Sequence, residues 1–226
     1  MKSLLINWLA REILSKIKNK KIGIIDYELS NLGAIKSAVK KLNYEYKLIK
    51  EPKYLSSVEK IILPGVGSFK TAVENLLKSD LFYAIKDEVL EKKKPILGIC
   101  LGMQLLSSTG YEGGESEGLN LIPGEVRYMD YVIKKKLALP HVGWNKIQFK
   151  KKSKLFDHIL NDEYFYFIHS FNFIPDNKKD IVATTKYGRE FVSVLQRENI
   201  YGIQPHPEKS QLYGLKFLDN FLKIKC

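Results

Sequence analysis

Three features of the sequence predict an α/β fold built on a largely parallel sheet covered by helices. Through the first half, short apolar runs alternate with helical runs that carry one apolar face. The second half changes to short strand-like runs joined by turns. The length of 226 residues, 45% apolar and 27% charged, suits one domain able to bury a core.

In chain order, Leu4, Leu5, Trp8, Leu9, Ile13 and Ile17 recur mostly three or four apart among Lys2, Arg11, Lys16 and Lys18. This spacing predicts an amphipathic helical extension over residues 1–20, docked on the domain or on a partner. Arg11 and Glu12 interrupt the apolar stretch before any good cleavage site, which argues against a signal peptide. The domain itself is expected over residues 21–226. Lys21 to Asp26 reads as a buried strand, and Asn31 as the cap of a helix carrying Leu32, Ile35, Val39 and Leu42 on one face. Further strands are predicted at 44–49, 61–63 and 95–99, with helices near 70–78 and 80–93. A helical stretch from Met103 to Ser107 follows. Strands are then expected at 124–132, 164–168, 181–185, 191–195 and 200–203. The last helix is placed near 211–224, with Leu215, Leu218 and Leu222 inward.

No apolar run approaches the roughly 18 residues that span a membrane, so a soluble protein is expected. Cys100 and Cys226 could pair only by tying mid-chain to the last residue. A reducing cytoplasm suits such a chain better than a secreted disulfide framework. His141, His158, His169 and His206 show no close metal-ligand spacing. The net charge is +12, with lysine runs at 92–94, 134–136 and 150–152 plus Lys154. The runs lack interleaved aromatics and match no nucleic-acid motif. A solvated surface, or an acidic face on a protein partner, is therefore favoured over nucleic-acid binding.

The chemistry concentrates at Gly98-Ile99-Cys100-Leu101-Gly102, between an apolar strand and a helical stretch. This is the nucleophile-elbow pattern with cysteine as nucleophile. Gly98 and Gly102 leave room where a Cβ would collide with neighbouring elements. The helix N-terminus favours negative charge at the nucleophile, and the Leu101 N–H is placed to stabilise an oxyanion. Far along the chain stands Gln204-Pro205-His206-Pro207-Glu208. His206 can take the thiol proton and return it to a leaving amine, while Glu208 holds the other ring nitrogen. The competing readings are a buried structural cysteine and a proline-rich surface turn. The order Cys, His, Glu argues against both.

These segments resemble the class I, or triad, glutamine amidotransferases, and in particular the branch formed by the glutaminase subunits of imidazole glycerol phosphate synthase. The resemblance runs from about Lys21 to the C-terminus. It rests on Leu63-Pro64-Gly65-Val66-Gly67-Ser68-Phe69, on Gly98 through Gln104, on Leu121-Ile122-Pro123-Gly124 and on Pro140-His141-Val142-Gly143-Trp144-Asn145. His169-Ser170-Phe171 and His206-Pro207-Glu208-Lys209-Ser210 extend it. Val66 stands where the anthranilate and carbamoyl phosphate synthase subunits tend to have a second proline, and Met103 where those two usually have histidine.

The resemblance implies a three-layer α/β sandwich, with a largely parallel central sheet and a small additional antiparallel sheet. It implies Cys100, His206 and Glu208 as the triad, with an oxyanion hole from the backbone at Val66 and Gly67 and from the Leu101 N–H. One peptide of that strand would reorient when a partner signals. Gln104 and Glu112 would hold glutamine, Glu112 through its α-ammonium group, and the backbone at Ser170 and Phe171 would meet its α-carboxylate. Trp144, Asn145 and Lys209 would lie toward a (β/α)-barrel cyclase. Glutamine would be hydrolysed through a cysteine thioester and its ammonia channelled through that barrel, with no cofactor or metal. Low activity without the partner is expected.

Three departures stand against the family pattern. Glu28 and Ser30 occupy loop positions where the family has glycine, Pro205 replaces a phenylalanine before the histidine, and residues 1–20 are extra. Two rival readings follow. One is a paralogous glutaminase subunit feeding a different synthase, such as one that aminates a sugar. The other is a scaffold subunit that keeps the fold without turnover. Neighbouring genes separate the first, and trapping Cys100 with a glutamine-analogue electrophile the second.

Overall fold

The structure, a computed structural model, describes residues 21–29 and 31–225. The expected helix of residues 1–20, together with Ser30 and Cys226, lies outside the described residues. The central sheet begins with β1 (Ile22–Ile25), β2 (Tyr46–Ile49), β3 (Lys60–Gly65) and β4 (Ile96–Cys100). Between them run α1 (Leu32–Lys41), α2 (Phe69–Lys78) and α3 (Leu81–Leu90). A single helical turn, α4 (Leu101–Gln104), follows β4 directly.

Two short strands, β5 (Thr109–Gly110) and β6 (Ser116–Glu117), lead to β7 (Gly124–Tyr128) and α5 (Asp130–Lys134). Next come β8 (His141–Lys146), β9 (Gln148–Phe149), β10 (Tyr164–His169) and β11 (Phe171–Pro175). The chain closes with β12 (Ile181–Tyr187), β13 (Arg189–Arg197), β14 (Ile200–Ile203) and α6 (Gln211–Lys223).

Eight strands form the main sheet in the order β2-β1-β3-β4-β14-β13-β12-β9. Pairing is parallel from β2 to β14 and antiparallel from there to β9. The smaller structure comes as an antiparallel pair, β8 with β10, and a four-stranded sheet, β11-β7-β5-β6.

Alternation along the central strands produces the three layers. Ile22, Ile24, Ile62, Leu97 and Ile99 face one side, where Ile35 and Val39 of α1 and Phe217 and Phe221 of α6 cover them. Ile25, Ile61, Leu63 and Ile96 face the other, under Phe69 and Leu76 of α2 and Leu81 and Ile85 of α3. Each such side chain, fully buried, contributes about 1.5–3 kcal/mol.

Several expected boundaries move, each for a local reason. The strand expected over 124–132 ends at Tyr128. The Met129 N–H donates to Ser170 O, and the next residues close one helical turn that buries both Tyr131 and Val132. The helix expected through Ser107 stops at Gln104, because the Leu105 and Leu106 carbonyls accept from the amides of Leu119, Leu121 and Ile122. In α6, Leu218 and Leu222 point inward with Phe217 and Phe221, while Leu215 is half-buried. Asn31 precedes α1 without a side-chain capping bond. The lysine runs meet local acids and carbonyls: Lys92 and Lys94 each lie 2.6 Å from Glu88, Lys134 is 2.6 Å from Asp130 and Lys150 is 2.7 Å from Glu190.

Candidate active site

The site gathers where three parallel strands end together. Gly65 pairs with Cys100 across β3 and β4, and Ile203 with Ile99 across β14 and β4. Loops leaving neighbouring strand ends at one edge make the usual crevice of an open α/β sheet. The segments after β3, β4 and β14 therefore carry Val66, Leu101 and His206 to one cavity. Cys100, Gly67, Gln104, Glu112, Ile168, His169 and Phe171 complete most of its wall.

Cys100 is a free thiol, 7% exposed, at φ +55°, ψ −112°. For a non-glycine residue this is a strained conformation, costing on the order of 1–3 kcal/mol. Close packing imposes it. A Cβ on Gly102 would lie 1.7 Å from Leu63 O, and one on Gly98 would lie 2.5 Å from Gly102 O. The two glycines let strand and helical turn pack with the thiol between them. Cys100 Sγ points to Ile168 O at 3.8 Å and accepts from Gln204 Nε2 at 3.7 Å.

His206 is 2% exposed, and its Nδ1 lies 2.7 Å from Glu208 Oε1. Its Nε2 is buried, makes no ordinary hydrogen bond among the described residues, and couples to the thiol. Burial alone would push the imidazole pKa down. The charges of Cys100 and then Glu208 outweigh it and lift the value to about 10. A histidine in that state holds its proton at neutral pH and can deliver it to a leaving group. Pro205 fits because the amides on either side are satisfied: Gln204 N–H donates to Ser193 O and His206 N–H to Tyr166 O, both at 2.8 Å.

The segment expected to supply the oxyanion hole is not set in the same way. The Val66 N–H donates to Leu29 O at 2.9 Å, away from an oxyanion role, and Gly67 sits at φ +99°. Leu29 belongs to the loop in which Glu28 takes φ +71°, as the missing glycine foretells. The Glu28 N–H donates to Asp26 Oδ1 at 3.4 Å.

Gln104 is buried and donates through Nε2 to Phe171 O at 3.2 Å and to Gln204 Oε1 at 3.0 Å. Its own carbonyl oxygen is the atom left for a substrate ammonium. Glu112 Oε2 accepts from the Phe69 N–H at 3.2 Å, and burial raises the carboxyl pKa against that bond's lowering effect. Phe171 lines the cavity. Ser170 stands beside it with its carbonyl taken by Met129 N–H, so its amide or hydroxyl would have to meet a substrate.

Trp144, Asn145 and Lys209 fall outside the cavity. Trp144 is 46% exposed on β8, its ring 6.0 Å from Tyr166, over which Lys209 Nζ lies at 5.8 Å. Tyr166, Gln204 and Tyr27 escaped the sequence reading. Gln204 opens the quoted histidine segment, but its local sequence assigns it no role. Nothing in the sequence signals that the Tyr27 hydroxyl is buried beside Gly65 with no hydrogen-bond partner among the described residues.

The family described as "Glutamine amidotransferase class-I" matches residues 23–224. The chain is 41% identical over 202 residues to "Imidazole glycerol phosphate synthase subunit HisH 2" of Methanococcus maripaludis, covering 89% of this chain and 98% of that one. It is 44% identical over 203 residues to "Imidazole glycerol phosphate synthase subunit HisH 1" of Campylobacter jejuni, covering 90% and 100%. Among solved structures, PurLQS from Thermotoga maritima aligns with a TM-score of 0.70 at 18% identity, over 90% of this chain and 98% of that one. At that identity the likeness speaks for the fold alone. A match from β1 to the end of α6, joined to relatives alike over nearly their whole length, settles descent: the chain belongs to the class-I glutamine amidotransferases.

Proposed function

We infer that this chain is the glutaminase subunit of an imidazole glycerol phosphate synthase, serving histidine biosynthesis. The observation that carries the chemistry is the buried Cys100–His206–Glu208 line at the ends of β4 and β14. In this reading the Cys100 thiolate attacks the side-chain amide carbon of glutamine. The carbon–nitrogen bond breaks, His206 protonates the departing ammonia, and a γ-glutamyl thioester remains. Water, deprotonated by His206, then cleaves the thioester to glutamate and returns the proton. Leu101 N–H, with Val66 and Gly67 once reoriented, would hold the oxyanion, while Gln104, Glu112, Ser170 and Phe171 orient the substrate. No step needs a metal or cofactor.

The ammonia acceptor is a synthase partner, and we assign it as a (β/α)-barrel cyclase docked over Trp144, Asn145 and Lys209. The engaged Val66 amide supports a low resting activity that docking raises. The test is ammonia release from glutamine with and without a purified cyclase subunit. The cyclase is expected to stimulate turnover on the order of 100-fold, the worth of one oxyanion donor. Cys100→Ala should remove at least about 10⁴-fold of the stimulated rate, as loss of a nucleophile does. Cys100-dependent activity that ignores the cyclase would refute this pathway and point to another synthase.

A further inference from the structure

A second group of buried titratable side chains lies against the cavity without a part in the chemistry above. His141 and His169 pair across β8 and β10 and are 3% and 6% exposed. His141 Nδ1 is 3.1 Å from His169 Nε2, and His169 Nδ1 is 2.8 Å from Phe171 O. On the far side, His141 Nε2 is 3.4 Å from Asn145 Nδ2.

The direction of every hydrogen bond follows from the two ends. Phe171 O can only accept, so the proton of His169 sits on Nδ1 and its Nε2 accepts. His141 must then donate from Nδ1 and accept at Nε2, where Asn145 Nδ2 supplies the hydrogen. Asn145 is oriented independently: its Oδ1 accepts from the Lys146 N–H at 2.8 Å, and its Nδ2 also donates to Lys186 O at 3.1 Å. Burial keeps both rings neutral, with His141 lowered to about 4. His169 is lowered to about 3 chiefly by burial, against the Phe171 bond, with the nearby charges of His141 and His206 adding to the fall. Phe171 O also accepts from Gln104 Nε2, which donates to Gln204 Oε1 as well, and Gln204 Nε2 donates to the Cys100 sulfur.

We propose that His141 and His169 are positioning residues in a hydrogen-bond relay that runs in one direction from Asn145, at the partner-facing edge, to Phe171 O, where Gln104 donates from the opposite side and ties the relay to the glutamine pocket. Its longest link, at Asn145, is the one that docking can tighten or break. The substrate end is a backbone carbonyl whose placement sets the segment expected to meet the glutamine α-carboxylate. The inference rests on the glutaminase reading and on Asn145 lying toward the partner. Packing offers the competing explanation, since the His141 ring stacks on Tyr187 at 4.0 Å and on Phe167 at 4.9 Å. A packing role alone needs no fixed tautomer and no link to glutamine affinity.

Imidazole ¹⁵N spectra of the native protein test the relay first. Both rings are expected to be neutral at pH 7 with the proton on Nδ1, and a proton on Nε2 of either ring overturns the proposal. Steady-state kinetics of the assembled complex test its effect. His141→Phe keeps ring stacking but removes both links, and should raise KM for glutamine about tenfold, the worth of a buried hydrogen bond left unmade, with kcat reduced less. His141→Asn restores a donor toward His169 and should recover most of the KM while lowering stimulation by the cyclase. Unchanged KM and unchanged stimulation in both variants, with only a fall in Tm, would assign these histidines to packing. A native complex without Cys100-dependent hydrolysis would instead sink the glutaminase reading itself.

Discussion

The nucleophile elbow and the oxyanion strand leave neighbouring strand ends, yet the chain finishes only one of them. At the elbow, Cys100 is already forced to φ +55° by backbone packing that tolerates no Cβ at Gly98 or Gly102. At the oxyanion strand, the Val66 amide is tied to Leu29 O. The energies differ in kind. Undoing the elbow means separating packed backbone, whereas releasing Val66 breaks one hydrogen bond worth about 0.5–1.5 kcal/mol net. A docking partner can supply the second easily and never needs to touch the first. In the proposed reading the chain thus secures the geometry of attack and the Leu101 donor, and withholds the second oxyanion donor, worth about 10²–10³ in rate.

The sharpest way to break this contrast is to weaken the finished side. Glu208→Gln keeps the shape but removes the negative charge 2.7 Å from His206 Nδ1. That charge helps lift His206 to about 10, so its loss must lower the imidazole pKa. The protonated form then disappears at lower pH, and the alkaline limb of the kcat profile should move down the pH scale. A fall in kcat of roughly 10²–10³-fold is expected, as for a lost acid–base element. An unshifted alkaline limb would show that Glu208 does not act on His206.

Gly102→Ala attacks the packing that sets the elbow. Its methyl would meet Leu63 O at 1.7 Å, a backbone atom with nowhere to go. Overpacking of this severity costs about 3 kcal/mol, and for a domain of this size Tm should fall by roughly 6–12 °C. A small loss would mean that β3 and α4 can part, and that the elbow is no stiffer than the oxyanion strand.

Most of what positions the triad was legible in the sequence, because it depends on local rules. Strand, glycine, cysteine, glycine and helix are a local pattern for an elbow, and His206 and Glu208 need only two residues to meet. The unbroken apolar run Ile61-Ile62-Leu63 announced a strand. What escaped depends on contacts between distant segments. The helix after Cys100 stops because residues 119–122 take its carbonyls, and no local signal at Leu105 or Leu106 says so. Gln204 reaches both Gln104 and Cys100 only because β14 lies beside β4, an order set by the whole sheet. His141 and His169 stood in quoted motifs, but their tautomers follow from partners nearly thirty residues apart.

The smallest expected effect concerns the loop that holds the unfinished strand. Glu28 and Cys100 share positive φ, at +71° and +55°, but for different reasons. At Cys100 the side chain is the proposed nucleophile, so in that reading strain cannot be relieved without losing the reaction. At Glu28 the side chain is exposed, and the family resemblance implies a glycine there. A left-handed conformation costs a non-glycine residue roughly 1–2 kcal/mol. Glycine gives back about 0.5–1 kcal/mol of that through its freer unfolded chain. Glu28→Gly should therefore stabilise the protein by about 0.5–1 kcal/mol, raising Tm by roughly 1–4 °C. Cyclase-stimulated turnover should persist, because Leu29 O is held by the Val66 bond and not by the Glu28 side chain. A gain in Tm with lost stimulation would place the strain of this loop inside the switch, and the contrast between a rigid elbow and a cheaply released strand would then have to include a third, spring-loaded part.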